Sequence, residues 1–243
     1  MEANQKPGKL RDINFYLWKS FRFYELKNER LSRIIFLLIL VISFLGIFVP
    51  DNIYINGAFS FISVTITFLA SAVYLAAFIK DLKGEVYGIK DCFKLISKNI
   101  FKVLIVSITY LLTVAVTLGF IVSPEIISYL VIFMFIPFII IYLMFIFNIC
   151  YVLDKGEGII KSFKSSGDVT KGYKRGIFLI IFVFNFLLTV PLSFLMVAAV
   201  LSENSLIYAF VISFIAAILN FMQQRLTALM YMDLEYGIKN QEH

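Results

Sequence analysis

Six apolar stretches divide this chain of 243 residues, and they limit its possible folds more than any other feature. The hydrocarbon core of a bilayer is about 30 Å thick, and a helix of roughly 20 apolar residues crosses it. Each stretch approaches or exceeds that length, so the sequence predicts an all-α, polytopic integral membrane protein. The predicted transmembrane helices are residues 34–49, 57–79, 100–122, 126–152, 176–201 and 206–232.

The composition leads to the same class. Hydrophobic residues make up 60% of the chain and charged residues 16%, against roughly 45–50% and 25% in soluble globular domains. A soluble domain of this size could not cover so much apolar surface, and disordered chains are poor in apolar residues. The composition therefore excludes both of these classes.

The connections between the apolar stretches alternate between two kinds. Residues 50–52, 123–125 and 202–204 form short turns with residues that end helices, whereas residues 80–99 and 154–175 are longer and charged. A short turn joins two helices that lie side by side. The six predicted helices therefore form three helical hairpins.

The placement of positive charge predicts the orientation. All 22 Lys and Arg residues lie in four segments that the hairpin arrangement puts on one side, namely residues 1–33, 80–102, 154–175 and 225–243. The positive-inside rule makes that side cytoplasmic. We thus predict a cytoplasmic amphipathic segment (1–33), a membrane domain (34–232) and a cytoplasmic tail (233–243). The basic charge reflects this topology, and no nucleic-acid partner is predicted.

Some of the cytoplasmic segments have the pattern of amphipathic helices on the membrane surface. In residues 89–100 the apolar residues recur at helical spacing with lysines off that stripe; residues 13–24 have a comparable stripe, and residues 159–163 a weaker one. Basic residues on such helices attract anionic lipid. The predicted contacts to the inner leaflet are Lys90, Lys94, Lys98, Lys161, Lys164, Lys171, Lys174 and Arg175.

Short matches along the chain indicate an internal repeat. The sequence KSFR at 19–22 corresponds to KSFK at 161–164 and to CFK at 92–94, and LLTV occurs at both 111–114 and 187–190. We interpret the chain as three copies of one unit, an amphipathic helix followed by a hairpin.

One segment also resembles a known family. The run GEGIIKSFKSS at 156–166, followed by VTKG at 169–172 before an apolar stretch, resembles the membrane domain of some bacterial glycerophosphodiester phosphodiesterases and related stand-alone six-helix families of unknown function. This resemblance implies a six-helix fold rather than an activity. The metal-binding acids and histidines of the phosphodiesterase domain are absent, so its activity is not transferred.

The sequence favours a protein that is not an enzyme. The one histidine is His243, and Cys92 and Cys150 have no Cys or His neighbours at metal-ligand spacing. No pair of acids lies inside an apolar stretch; Asp154 and Asp233 stand at helix ends, where we expect them to be solvated. No catalytic residue, metal site or cofactor is predicted.

The most polar positions inside the apolar stretches have two interpretations. They are Asn148, Asn185, Asn220, Gln223, Gln224 and Arg225. They could line a polar cavity in which Arg225 binds a lipid phosphate, an anionic substrate or Asp154. Alternatively, the amides join helices by hydrogen bonds, and Arg225 extends to the inner interface. The sequence leaves both open.

We therefore expect a multi-pass protein of a bacterial cytoplasmic membrane that handles lipid or envelope components and binds anionic lipid. One alternative is a transporter or its membrane subunit, including export of antimicrobial peptides or self-protection against them, with kinks at Pro137 and Pro191 and a cytoplasmic ATPase docked on residues 154–175. Another is a structural partner of a different membrane protein complex.

Overall fold

The computed structural model describes residues 8–50, 52–108, 139–200 and 205–237, and within these ranges the chain is helical without a β-strand. The all-α prediction is confirmed. The helices are α1 (Ile13–Phe21), α2 (Glu29–Leu45), α3 (Ile53–Leu82), α4 (Ile89–Lys98), α5 (Asn148–Lys155), α6 (Ile159–Thr170), α7 (Lys174–Val200) and α8 (Ser205–Tyr236). Residues 100–108 and 139–145 are also helical.

Three of the described helices are long and apolar enough to cross a membrane. They are Tyr54–Leu82 in α3, Lys174–Leu195 in α7 and Leu206–Tyr236 in α8. They overlap the predicted transmembrane helices at 57–79, 176–201 and 206–232. The number of six crossings, the three hairpins and the cytoplasmic position of the termini remain predictions.

The other predicted crossings are covered only in part. The first, 34–49, falls largely within α2, which begins earlier because the Asn28 side chain accepts a hydrogen bond from Leu31 N at 3.1 Å. Most of the third and about half of the fourth fall in 109–138, outside the described residues, and Pro137 falls there as well. In the described part of the fourth, a turn at 146–147 separates helical residues from α5.

The core lies where the second half of α3 meets the second half of α8. Residues 70–79 and 225–234 are buried on all sides, and α2 packs against both helices. The Tyr74 ring stacks on that of Phe221 with 4.2 Å between centroids, and Tyr74 Oη donates to the Phe23 carbonyl at 2.8 Å. This contact fixes the connection between α1 and α2 against the bundle.

The short helices α1, α4 and α6 pack on the bundle along one face each. In α4 that face is Cys92 and Ile96, and in α1 it includes Tyr16. In α6 it is a stripe of small polar residues, Ser162, Ser166 and Thr170, whose spacing of four places them on one side. The opposite faces of these helices carry exposed residues and form the surfaces described below.

Candidate functional site

Part of the predicted polar cluster lines a cavity. Gln223 and Gln224, both half-buried on α8, face a space of about 250 Å³ that is bounded by α3 and residues 142–149. Ser71 on α3 lines it as well, and Ser71 Oγ lies 2.7 Å from Asn220 Oδ1. Three of the predicted amides, all on α8, therefore lie where this helix packs on α3.

Arg225 lies outside this cavity, on another face of α8. Its Nη1 donates to the Glu25 carbonyl at 2.9 Å, and its Nη2 is 3.8 Å from Glu25 Oε2. The guanidinium carbon lies 4.3 Å from the centre of the Phe78 ring, and the residue is 5% exposed. Its described partners therefore include Glu25, Phe78 and Tyr74 rather than Asp154 or the cavity.

The two remaining amides also lie apart from the cavity. Asn148 is fully buried, and its Oδ1 lies 2.5 Å from Ser162 Oγ, so this pair holds α6 against α5. This bond joins two helices, as the second interpretation of the amides expected. Asn185 is exposed on α7.

Asp233 is not a solvated helix end, and that expectation is wrong. Its side chain is 2% exposed. Arg11 binds it through both Nε, at 2.8 Å, and Nη2, at 2.5 Å, and Tyr16 Oη donates to it at 2.7 Å. Burial, and then the charge of Asp233, raise the pKa of Tyr16 above its ordinary 10.0, so the phenol stays a neutral donor.

Asp154 is buried in the same way, with its side chain 4% exposed. Lys83 forms an ion pair with it, and the hydroxyls of Tyr231 and Tyr236 donate to it at 2.7 and 2.5 Å. Burial alone lowers the pKa of Lys83, but the bonds to Asp154 and Tyr236 outweigh it, so the pKa is raised above 10.5. The sequence offered one signal for this network, an acid directly after a run of apolar residues.

The predicted lipid contacts of α4 form one exposed face. Lys90, Lys94 and Lys98 are all exposed, while Cys92 on the opposite face is fully buried. Burial raises the pKa of the Cys92 thiol to about 11. Phe93 lies beside the lysines and is 43% exposed. The helix thus presents cations together with an aromatic ring.

The predicted contacts of α6 and of the start of α7 are also at the surface. Lys161, Lys164, Lys171 and Arg175 are exposed, and Lys174 is half-buried. Lys161 pairs with Glu157 at 3.3 Å, which reduces the free charge of this surface. Ile160, on the same helix, is 87% exposed.

Aromatic residues are exposed along α1 and just after it. Trp18, Phe21 and Tyr24 are 63, 47 and 63% exposed, and the guanidinium carbon of Arg22 lies 5.3 Å from the centre of the Trp18 ring. Aromatic and basic residues in this combination are typical of the membrane–water interface. These residues form no described polar cavity.

Among the residues that the structure describes, no group of three His, Cys, Asp or Glu is placed to hold a metal ion. No family model, curated protein or solved structure matches the chain. The resemblance of residues 156–172 to phosphodiesterase membrane domains therefore remains a prediction from the sequence.

Proposed function

We propose that this chain is a non-enzymatic protein of a bacterial cytoplasmic membrane that binds anionic lipid headgroups at the inner leaflet and serves in lipid or envelope handling. The observation that carries the proposal is the arrangement of α4. Lys90, Lys94 and Lys98 are exposed together, while Cys92 and Ile96 are buried against the bundle. Both termini and both long loops are cytoplasmic in this proposal.

The buried face of α4 fixes the rotation of the helix. The lysines therefore point away from the protein, and Phe93 can insert between lipids beside them. A basic residue near an anionic leaflet contributes about 1 kcal/mol. Three such residues together correspond to a preference of roughly a hundredfold for an anionic surface over a neutral one.

A lysine-to-glutamine variant tests the proposal. The variant Lys90→Gln, Lys94→Gln, Lys98→Gln removes three charges from an exposed face, and the matched variant with arginine at these positions keeps them. Both proteins are extracted with their native lipids and studied by native mass spectrometry. We expect phosphatidylglycerol retention to fall by roughly a hundredfold in the glutamine variant and to persist in the arginine variant. Equal retention in all three proteins contradicts the proposal.

The cavity beside Gln223 and Gln224 favours a second candidate, the membrane subunit of a transporter. Polar groups at membrane depth commonly line a substrate pathway. In this case a cytoplasmic ATPase would dock on residues 154–175. A crosslinker placed in cells at the exposed residue Lys164 would then capture this ATPase. The substitution Gln224→Leu would abolish transport, while the crosslink to the ATPase would still form.

A further inference from the structure

A groove of about 610 Å³ lies between α2 and α8, away from the polar cavity and from the basic face of α4. This volume is in the range of small-molecule binding sites. On α2 it is lined by one helical stripe that includes Glu29, Arg33 and Leu37, and on α8 by Phe214 and Ile218. The stripe follows the spacing of a single helix face, so the groove runs along α2.

The two ends of the groove differ in chemistry. Glu29 and Arg33 occupy the first turns of α2, whereas Leu37 lies about 12 Å from Glu29 along the axis, at 1.5 Å per residue. Beside Leu37 the wall is aromatic, because Phe36 packs edge-on against Phe214 with 5.4 Å between centroids. In the predicted topology the charged end lies at the level of the inner headgroups, and the apolar end points into the hydrocarbon.

The charged end presents both signs. Arg33 Nη2 lies 2.6 Å from Glu29 Oε2, and the side chains are 74 and 67% exposed, so both remain accessible to a ligand. A headgroup with only a phosphate would meet the guanidinium but also be repelled by the carboxylate. A headgroup that carries an ammonium beside its phosphate meets an opposite charge at each residue.

We propose that this groove binds a phospholipid with a phosphate and an ammonium in its headgroup, of the phosphatidylethanolamine type. One acyl chain lies along Leu37, Phe214 and Ile218, the phosphate contacts Arg33, and the ammonium contacts Glu29. The inference rests on the proposed function, because it places the start of α2 at the inner leaflet. It adds a single site whose residues differ from the lysines of α4.

Filling the groove tests whether it holds a lipid chain. The substitution Leu37→Trp places a large ring in the groove, and Leu38→Trp puts the same ring on the neighbouring exposed residue, which does not line it. Delipidated full-length proteins receive equal amounts of phosphatidylethanolamine and phosphatidylglycerol before native mass spectrometry. We expect wild type and the Leu38 variant to retain one phosphatidylethanolamine and the Leu37 variant to lose about tenfold in affinity for it. Equal retention by both variants overturns the proposal.

Neutralising Glu29 tests the headgroup assignment. In Glu29→Gln the ratio of bound phosphatidylethanolamine to phosphatidylglycerol should fall about tenfold, while Glu85→Gln, whose carboxylate pairs with Lys80 outside the groove, should leave it unchanged. An unchanged ratio in the Glu29 variant overturns the assignment. The glutamine variant of α4 should keep its single phosphatidylethanolamine while losing phosphatidylglycerol, so a failure of the groove and a failure of the proposed function give different results.

Discussion

At the scale of single residues, Asp233 shows how the chain accommodates a carboxylate where a helix disfavours it. The C-terminal end of a helix carries partial negative charge, and α8 ends three residues after Asp233. Burial adds a desolvation penalty. Two bonds from Arg11 and one from Tyr16 offset both effects and attach the N-terminal segment to α8.

Removing this carboxylate should destabilise the protein strongly. Asp233→Ala leaves Arg11 without its partner, and loss of one member of a buried pair costs about 3–5 kcal/mol, or about 2–4 here because Arg11 is 30% exposed. Thermal unfolding in detergent measures the loss. The exposed Asp168→Ala is the matched control and should unfold like wild type. Equal stability of the two variants would show that the Arg11 contact contributes nothing.

A glycine is required where the N-terminal segment meets α8. A Cβ added at Gly8 would lie 1.7 Å from the carbonyl oxygen of Asp233, whereas one added at Gly57 would have nothing within 4 Å. Gly8→Ala should therefore displace this segment, weaken the contact between Arg11 and Asp233 and lower the melting temperature by several degrees, roughly 5 °C. Gly57→Ala should not lower it. Equal melting temperatures for the two variants contradict this packing.

The sequence predicted some of these residues and missed others for a physical reason. The convergence of Gln223, Gln224 and Asn220 follows from their spacing on one helix. The burial of Asp233 could not be predicted, because its partner Arg11 is 222 residues away. Sequence spacing also could not show that Arg225 turns toward Glu25, since this depends on where the connection before α2 packs.

At the scale of elements, the short helices α1, α4 and α6 each bury one face that includes a small residue. The small residues Ser20, Cys92 and Ser162, which the proposed repeat aligns, are each 0% exposed. Three copies of one unit require such equivalent burial, although the repeat itself remains a prediction. The stripe of α4 was readable from the sequence because apolar and basic residues separate cleanly, while that of α6 was weak because its buried face is Ser and Thr.

Thiol labelling tests the docking of α4. Cys92 is buried with its pKa raised to about 11 from the ordinary 9.0, and the thiolate is the reactive form. In a Ser97→Cys variant, peptide-resolved mass spectrometry follows both thiols in one sample, and residue 97 is exposed. Alkylation at 97 should be fast and half-maximal near pH 9, whereas that at Cys92 should be slow and half-maximal only near pH 11. Equal rates would mean that α4 is undocked.

At the scale of the whole molecule, the predicted topology places the two ends of α3 on opposite sides of the membrane. A cysteine at Ser97 should be labelled from the cytoplasm only, and one at the exposed Pro50, just before α3, from outside only. Impermeant maleimide applied to intact cells and to inverted vesicles measures this. Labelling of both positions from one side contradicts the hairpin arrangement.

The membrane class followed from hydropathy because the bilayer imposes both the length and the composition of a crossing helix. Hydropathy places an apolar stretch but does not show what surrounds it, so the burial of residues 70–79 on all sides was not predictable. The groove between α2 and α8 was not predictable either, since it depends on two helices that are far apart in the chain.

The central claim, that the protein gathers anionic lipid around its cytoplasmic helices, is tested most directly with the chain's one tryptophan. Trp18 is 63% exposed on α1, so brominated lipids that come near it quench its fluorescence. The experiment therefore needs no mutation. The protein is reconstituted in mixed phosphatidylglycerol and phosphatidylcholine bilayers in which one lipid or the other is brominated. Brominated phosphatidylglycerol should quench Trp18 more strongly than brominated phosphatidylcholine at equal mole fraction, with the difference shrinking in high salt. Equal quenching by the two lipids would contradict the claim.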